Sequence, residues 1–551
     1  MTTINVALLQ APFVIGSPLQ NAGILDGMIN DAIDKGGELI LTPECALSGY
    51  PAEDILFRQD HQRMIAEALQ FLLSKSYPAI IIIGYPDFEN DTLTNRATVI
   101  DHGQITATYA KRILPNFRVF DEKRYFTPGN KSVEFTIKGK KVGLFICEDL
   151  WNKAITDQIN KDNMDLIISL NGSPYYVEKQ KKRLGILTDL AKEKELPIAY
   201  VNCVGGQDAI LFDGGSAFIN NQGDICELGN DFEQQIILAT FDFEKSPSLA
   251  ANKRLEPKDT NKQLIEAICC GIKQYVTKNH FTNGALIALS GGIDSAVTLS
   301  LAVKALGADK VEAVYMPSQF NADISEIDAR KQAENLGVKF SVLPIEPVTN
   351  SIDHALKPYF SHLAKDVTEE NIQARIRGLF IMALSNKYHK LVLTTGNKSE
   401  YAVGYATLYG DMCGGYAPIK DLYKTQVYAI AHALNDSGFT IPERVITREP
   451  SAELSENQLD SQSLPPYDVL DTILQLFIEE DESIAVIHKK TGYDLAIIER
   501  VIKLVLQNEY KRQQSAPGPR VSKRAFGKDR RYPISLDAKD FISQSESLSP
   551  Q

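Results

Sequence analysis

The run Ser290-Gly291-Gly292-Ile293-Asp294-Ser295-Ala296 constrains this chain more than any other stretch, because it joins two patterns that fix its geometry. Before it, Ala285-Leu286-Ile287-Ala288-Leu289 reads as a buried strand; after it, Ala296 to Leu306 reads as a helix with an apolar face. Two glycines and two serines at such a junction build a turn whose backbone N–H groups and hydroxyls converge on an anion. The helix N-terminus adds its partial positive charge there. A Walker loop is excluded, since no Gly-Lys-Ser/Thr follows. The loop instead carries an acid, Asp294, which suits a magnesium ion held against phosphate oxygens. Two glycines before a helix are common; the full seven-residue string in this setting is not.

At 551 residues the chain exceeds one hydrophobic core. From Ile4 to about Asp242 short strand-like runs recur: Asn5 to Gln10, Glu38 to Thr42, Ala79 to Gly84, Val142 to Cys147, Asp165 to Leu170 and Ile198 to Cys203. The stretch Glu244 to Lys262 is polar and proline-marked and reads as a linker. A second series follows: strand 285–289, helix, strand Val311 to Tyr315, helix Ser325 to Leu336, strand Phe340 to Pro344, helix Glu369 to Tyr388 and strand Leu391 to Thr394. Alternating strands and helices imply a doubly wound parallel sheet with ligands at the C-terminal strand ends. The expected division is a first domain over 1–245, a linker over 246–262, a second domain over 263–541 and a flexible Ser-rich tail over 542–551. A net charge of −12 argues against general nucleic-acid or anionic-membrane binding. Met1 to Asn5 lacks an export signal, no apolar run reaches membrane length, and the seven cysteines show no metal spacing. The expectation is a cytoplasmic protein with reduced thiols.

Three reactive residues stand out in the first half. Glu44 follows Leu39-Ile40-Leu41-Thr42-Pro43, Lys111 opens Lys111-Arg112-Ile113-Leu114-Pro115-Asn116-Phe117, and Cys147 precedes Glu148-Asp149-Leu150-Trp151. A carboxylate, an ammonium and a thiol can hydrolyse an amide. Glu44 would take the thiol proton and return it to the leaving amine, and Lys111 would favour the thiolate and then the oxyanion. Singly, each is more often packing or solvated surface. Their joint wording resembles the Glu-Lys-Cys triad of the nitrilase superfamily, in the branch that acts as a glutamine amidase. Ile113 and Phe117 depart from the His and Tyr common in relatives. For glutamine the resemblance implies contacts from Tyr50, Phe117, Glu148 and Ser173, with Arg183 as the carboxylate partner.

The loop at 290–296 resembles the SGGxDS pyrophosphate loop of the N-type ATP pyrophosphatases, which implies ATP contacts from Ser290, Gly291, Gly292, Ile293, Asp294 and Ser295. Thr395-Gly396-Asn397-Lys398-Ser399-Glu400 also follows a strand, so Thr395 should meet the nucleotide and Glu400 join Asp294 as a magnesium ligand. Asn371 and Arg375 share one face of a helix, and Arg377 lies on a neighbouring face. The cluster Lys523-Arg524-Ala525-Phe526-Gly527-Lys528-Asp529-Arg530-Arg531 reads as a loop folding over polyphosphate rather than a mobile tail.

Together with Pro450-Ser451-Ala452-Glu453-Leu454 and Leu464-Pro465-Pro466-Tyr467, these motifs resemble the NAD synthetases over nearly the whole chain, in their glutamine-dependent form. The resemblance implies a nitrilase-like α-β-β-α sandwich followed by a Rossmann-like domain of the adenine nucleotide α-hydrolase type. It implies ATP, deamido-NAD and L-glutamine as substrates, magnesium as cofactor, and a homo-oligomer, dimer or larger, with no nucleic-acid or membrane partner. Asn371, Arg375, Arg377, Glu400, Asp411, Lys424 and Lys523 would contact deamido-NAD. Alternatives are another glutamine-fed ATP pyrophosphatase with a different acceptor, or a non-enzymatic nucleotide sensor.

Overall fold

The computed structural model describes residues 2–89, 92–245, 248–250, 258–451, 453–455 and 458–547. The chain divides into two compact units, Met1–Lys258 and Asp259–Gln551.

In the first unit, strand Thr3–Gln10 shows why its sequence reads as a continuous apolar run. Ile4, Val6 and Leu8 point to one side and Ala7 and Leu9 to the other, and both sides are buried. It lies in a six-stranded sheet between Gln235–Asp242 and Leu39–Leu41, followed by Ile80–Glu89, Thr92–Asp101 and Gln104–Ala110. A second six-stranded sheet runs Ile225–Leu228, Ala217–Ile219, Ile198–Asn202, Leu166–Asn171, Lys140–Ile146 and Glu134–Ile137. Val6, Leu8, Leu41 and Ile82 of one sheet share a core with Leu144, Ile168, Val201 and Phe218 of the other. Helices Pro18–Asp34 and Gln59–Leu73 cover one outer face, and Lys179–Lys194 covers the other. The unit is the α-β-β-α sandwich expected.

The second unit has a four-stranded parallel sheet in the order Lys339–Val342, Val311–Tyr315, Ala285–Ala288, Leu391–Leu393. The chain order along the sheet reverses between Ala285–Ala288 and Leu391–Leu393. That reversal opens a crevice at their C-terminal ends, where the 290–295 loop and Thr395–Glu400 both emerge. Helices Tyr467–Leu474, Ile484–Thr491, Leu495–Gln507 and Ala538–Ser547 build a further apolar core with Ala402 and Val403.

Three sequence expectations are corrected. Helix Ile293–Leu306 starts before Ala296, so Asp294 and Ser295 sit in its first turn. Residues 260–262 of the expected linker are the start of helix Thr260–Lys278, whose first N–H groups are capped by Asp259; 246–247 and 251–257 lie outside the described residues. The expected tail is helical to Ser547, because Ile542 has an apolar core to enter; 548–551 lie outside the described residues.

One glycine fixes a catalytic candidate in space. A Cβ on Gly84 would lie 2.3 Å from the Pro43 carbonyl oxygen and 3.0 Å from Glu44 Cα. Gly84→Ala should therefore destabilise the first unit by about 1–3 kcal/mol, as overpacking does. Chemical denaturation followed by tyrosine and tryptophan fluorescence checks this.

Candidate active sites

The first site forms where strand ends from both sheets meet. Glu44 follows Leu39–Leu41, Lys111 follows Gln104–Ala110, and Cys147 follows Lys140–Ile146. Cys147 begins a 3-10 turn, Cys147–Trp151, with a φ of 46°, a left-handed conformation that costs a β-substituted residue about 1–3 kcal/mol. Asp149 holds that turn. Its carboxylate accepts from the Ile146 N–H at 3.1 Å, from the N–H groups of Arg112 and Ile113 at 3.1 and 2.8 Å, and from the Tyr109 hydroxyl at 2.7 Å. One carboxylate thus orients the chain beside both Cys147 and Lys111.

Lys111 is buried and donates to Glu44 Oε1 and Glu122 Oε1, each at 2.7 Å. Burial disfavours its charge, but the two carboxylates outweigh burial and hold its pKa well above the ordinary lysine value. Glu44 also accepts from Asn95 Nδ2 and from the Gly172 N–H, both at 2.8 Å. Burial, with the Glu44 charge beside it, pushes the Cys147 thiol up while Lys111 opposes; Glu122 is pushed up to about 7, chiefly by burial. Glu122 escaped the sequence reading because it stands in the charged run Asp121-Glu122-Lys123-Arg124, which looks like solvated surface.

Tyr50 donates to Glu122 Oε1 at 2.8 Å and meets Phe212 edge-on. Ser173 is buried, its N–H on Asn202 Oδ1 at 2.9 Å, and burial raises the Glu148 carboxyl. Two expectations differ from the structure. Phe117 is half exposed and packs on Phe120, outside the buried cluster. Arg183 is wholly buried and fork-bonded to Asp213 at 2.8 and 3.1 Å, so its charge is already matched and it braces Ser173 from behind. The cation facing the site is Lys179. It lies 4.0 Å over the Trp151 ring and makes no ion pair among the described residues. Burial and nearby Arg183 lower it to about 8, and Cys147 and Glu148 lie within reach of its charge.

The second site is a cavity of about 280 Å³ at the crevice of the parallel sheet. It is lined by all of 290–295, by Thr395 and Glu400, and by Arg377, Asp411 and Lys424. Gly291 has a φ of +85°, and a Cβ there would lie 2.4 Å from the Ser325 carbonyl oxygen. Ser295 Oγ accepts from the Ser290 N–H at 3.2 Å and lies 3.1 Å from Ser290 Oγ, so the loop is closed on itself before any ligand arrives. Lys424 Nζ donates to Asp294 Oδ2 at 2.5 Å and to Glu400 Oε1 at 3.3 Å, and Asn397 Nδ2 donates to Asp294 Oδ1 at 2.8 Å. Burial and neighbouring Asp294 push Glu400 up, with Lys424 opposing. Two carboxylates converging on one cation, beside a phosphate-type loop, fit magnesium, which takes few protein ligands and completes its shell with phosphate and water.

Three dinucleotide expectations, Asn371, Arg375 and Lys523, lie off the cavity lining. Asn371 Oδ1 accepts from the Thr407 hydroxyl at 2.8 Å and Arg375 donates to the Leu408 carbonyl at 3.3 Å. They brace the loop whose Thr407 N–H bonds Asp411 at 2.7 Å. Arg377 lines the cavity but donates to the Met316 carbonyl at 2.9 Å and to Asn321 at 3.1 Å. Lys523 bonds both oxygens of Glu480, and Arg524 and Arg530 both pair with Asp481. Lys523, Arg524 and Arg530 of the basic cluster are thus matched by Glu480 and Asp481 and do not line the cavity. Ala452 lies outside the described residues.

Comparison with known proteins gives the same division. Residues 5–250 match the carbon-nitrogen hydrolase family and 264–515 the NAD synthase family. The chain is 44% identical to the glutamine-dependent NAD(+) synthetase of Acinetobacter baylyi, over 97% of this chain and 98% of the relative. It is 39% identical to that of Thermotoga maritima, over 97% and 99%. Among solved structures, the glutamine-dependent NAD(+) synthetase from Acinetobacter baumannii in complex with ADP matches at a TM-score of 0.79 and 42% identity, over 97% of this chain and 98% of that one.

Gly291→Ala should reduce binding of an adenine nucleotide at least tenfold, because the methyl must move either the loop or Ser325. Isothermal titration with magnesium and ADP checks it.

Proposed function

Since the chain belongs to the glutamine-dependent NAD(+) synthetases, we propose that its first unit releases ammonia from glutamine at Cys147 and its second activates deamido-NAD at the 290–295 loop. The reaction is the ATP-dependent amidation of deamido-NAD to NAD with glutamine-derived ammonia. The observation that carries the assignment of residues is the pairing on one chain of two buried lysines, each between two carboxylates, one beside a thiol and one beside a phosphate-type loop.

At the first site Cys147 Sγ attacks the glutamine carboxamide carbon as Glu44 takes the thiol proton. Lys111, kept charged by Glu44 and Glu122, stabilises the oxyanion. The proton passes from Glu44 to the leaving nitrogen, ammonia departs, and a thioester remains on Cys147 for water to hydrolyse to glutamate. Lys179 takes the substrate α-carboxylate, while Glu148 and Ser173 hold the amino-acid end and Tyr50 forms a wall. Phe117 borders the entrance.

At the second site the nicotinate carboxylate attacks the α-phosphorus of ATP, giving an acyl adenylate and pyrophosphate, and ammonia then displaces AMP. The N–H groups and hydroxyls of Ser290, Gly291, Gly292 and Ser295 hold the leaving pyrophosphate, and Thr395 meets the nucleotide. Asp294 and Glu400 hold magnesium, which when bound neutralises charge growing on the leaving group. Before that, Lys424 keeps the two carboxylates from repelling each other. Asp411 and Arg377 face the dinucleotide, and Asn371 and Arg375 support Asp411's loop. The enzyme works as a homo-oligomer. Helix Glu346–Phe360 has no residue buried within the chain, and Tyr359, Leu363, Val367 and Leu379 of the second unit stand exposed. The free cysteines and the dependence on ATP fit the cytoplasm.

Cys147→Ala should abolish NAD synthesis from glutamine and keep synthesis from ammonium, with AMP formed in step with NAD. Loss of both, or a wild type that forms no AMP in the presence of deamido-NAD, overturns the two-site reading. Lys179 carries its charge below about pH 8 and loses it above, so the KM for glutamine should rise as pH passes 8. In Lys179→Arg that rise should move to higher pH. Initial rates from pH 6.5 to 9 at saturating ATP and deamido-NAD check it.

A further inference from the structure

Helix Lys398–Val403 carries Glu400 and is preceded by Asn397, the residue that bonds Asp294. Lys398, between them, turns away from the cavity and is wholly buried. Its ammonium donates to Glu479 Oε1 at 2.8 Å, Ser522 Oγ at 2.7 Å and the Arg524 carbonyl at 2.9 Å, with Asp421 Oδ1 at 3.0 Å. Asp421 accepts from the N–H groups of Val521 and Ser522 at 2.8 and 2.7 Å and from the Ser522 hydroxyl at 2.8 Å. The Tyr423 hydroxyl completes the cluster by donating to Glu479 at 2.9 Å.

An apolar side chain would fill that space without the desolvation cost of a buried ammonium. What the charge adds is direction. Four acceptors converge on one nitrogen; two of them, Ser522 Oγ and the Arg524 carbonyl, belong to a segment about 125 residues later, and a third, Asp421, is bonded to that segment. The helix bearing Glu400 and the Asn397–Asp294 bond are thereby fixed to segment 520–524. We propose that Lys398 is a positioning residue for the magnesium carboxylates, acting by tying their helix to this C-terminal segment. The inference rests on the reading of Asp294 and Glu400 as magnesium ligands. Groups behind the ligands of a metal commonly govern its affinity by about 10–100-fold.

Lys398→Met tests this, with the full-length protein and a non-hydrolysable ATP analogue titrated with magnesium. The magnesium concentration for half-maximal analogue binding should rise about tenfold, while analogue binding at saturating magnesium changes less than about threefold. Backbone hydrogen exchange at Val521 and Ser522 in the ligand-free variant should speed up at least tenfold. A variant that only lowers the melting temperature, with the magnesium midpoint unchanged, overturns the proposal. Ser522→Ala keeps every charge and removes one acceptor. It should shift the midpoint in the same direction and carries the test if Lys398→Met does not fold; an unchanged midpoint there also overturns it. A wild type whose analogue binding ignores magnesium would instead overturn the metal assignment itself.

Discussion

A buried lysine held between two carboxylates is the arrangement on which both sites depend. It occurs as Lys111 with Glu44 and Glu122, and as Lys424 with Asp294 and Glu400. It recurs behind the second site as Lys398 with Glu479 and Asp421. A lone buried ammonium would lose its proton, and a lone pair of buried carboxylates would take one up. Two acids around one base keep the lysine charged, while burial and the neighbouring carboxylate still push one acid of each pair, Glu122 and Glu400, up.

The fold supplies part of each triplet from strand ends, Glu44 and Lys111 in one and Asp294 and Glu400 in the other, while Glu122 arrives from a 3-10 turn and Lys424 from a helix start. In the first unit the two sheets share a core, so residues leaving the ends of Leu39–Leu41, Gln104–Ala110 and Lys140–Ile146 are delivered to one place. In the second the reversal of strand order opens the crevice between the loop after Ala285–Ala288 and the residues after Leu391–Leu393. The apolar strands do the positioning, and the polar residues need only follow them.

That division explains what was legible in the sequence. Strands buried on both faces announce themselves as unbroken apolar runs, and residues just beyond them, such as Glu44, Cys147, Asp294 and Glu400, can be read off directly. Glu122 could not, because its partner Lys111 is eleven residues away across a loop and its neighbours are charged. The pairing of Arg183 was hidden for a related reason. Sequence shows that a guanidinium is near Ser173, but not that Asp213, thirty residues on, has already matched it, leaving Lys179 to face the site. The basic run at 523–531 looked free because its counter-charges, Glu480 and Asp481, lie over forty residues earlier. Local pattern finds where a side chain starts; it does not find a partner brought up by tertiary packing.

Burial and the charges around Cys147 also bear on how its thiol behaves. Burial and the neighbouring Glu44 push the Cys147 thiol up despite Lys111. A thiol so held is a poor nucleophile toward stray electrophiles and oxidants. On the mechanism proposed above, the balance would change when an amide carbonyl oxygen takes up charge next to Lys111, because that ammonium would then have a third anion to stabilise and Glu44 would take the thiol proton. The same groups that raise the thiol pKa therefore make its deprotonation conditional on substrate. Replacing Glu122 with a neutral residue would leave Lys111 paired with Glu44 alone, removing one of the two charges that keep it an ammonium and weakening that condition at its source.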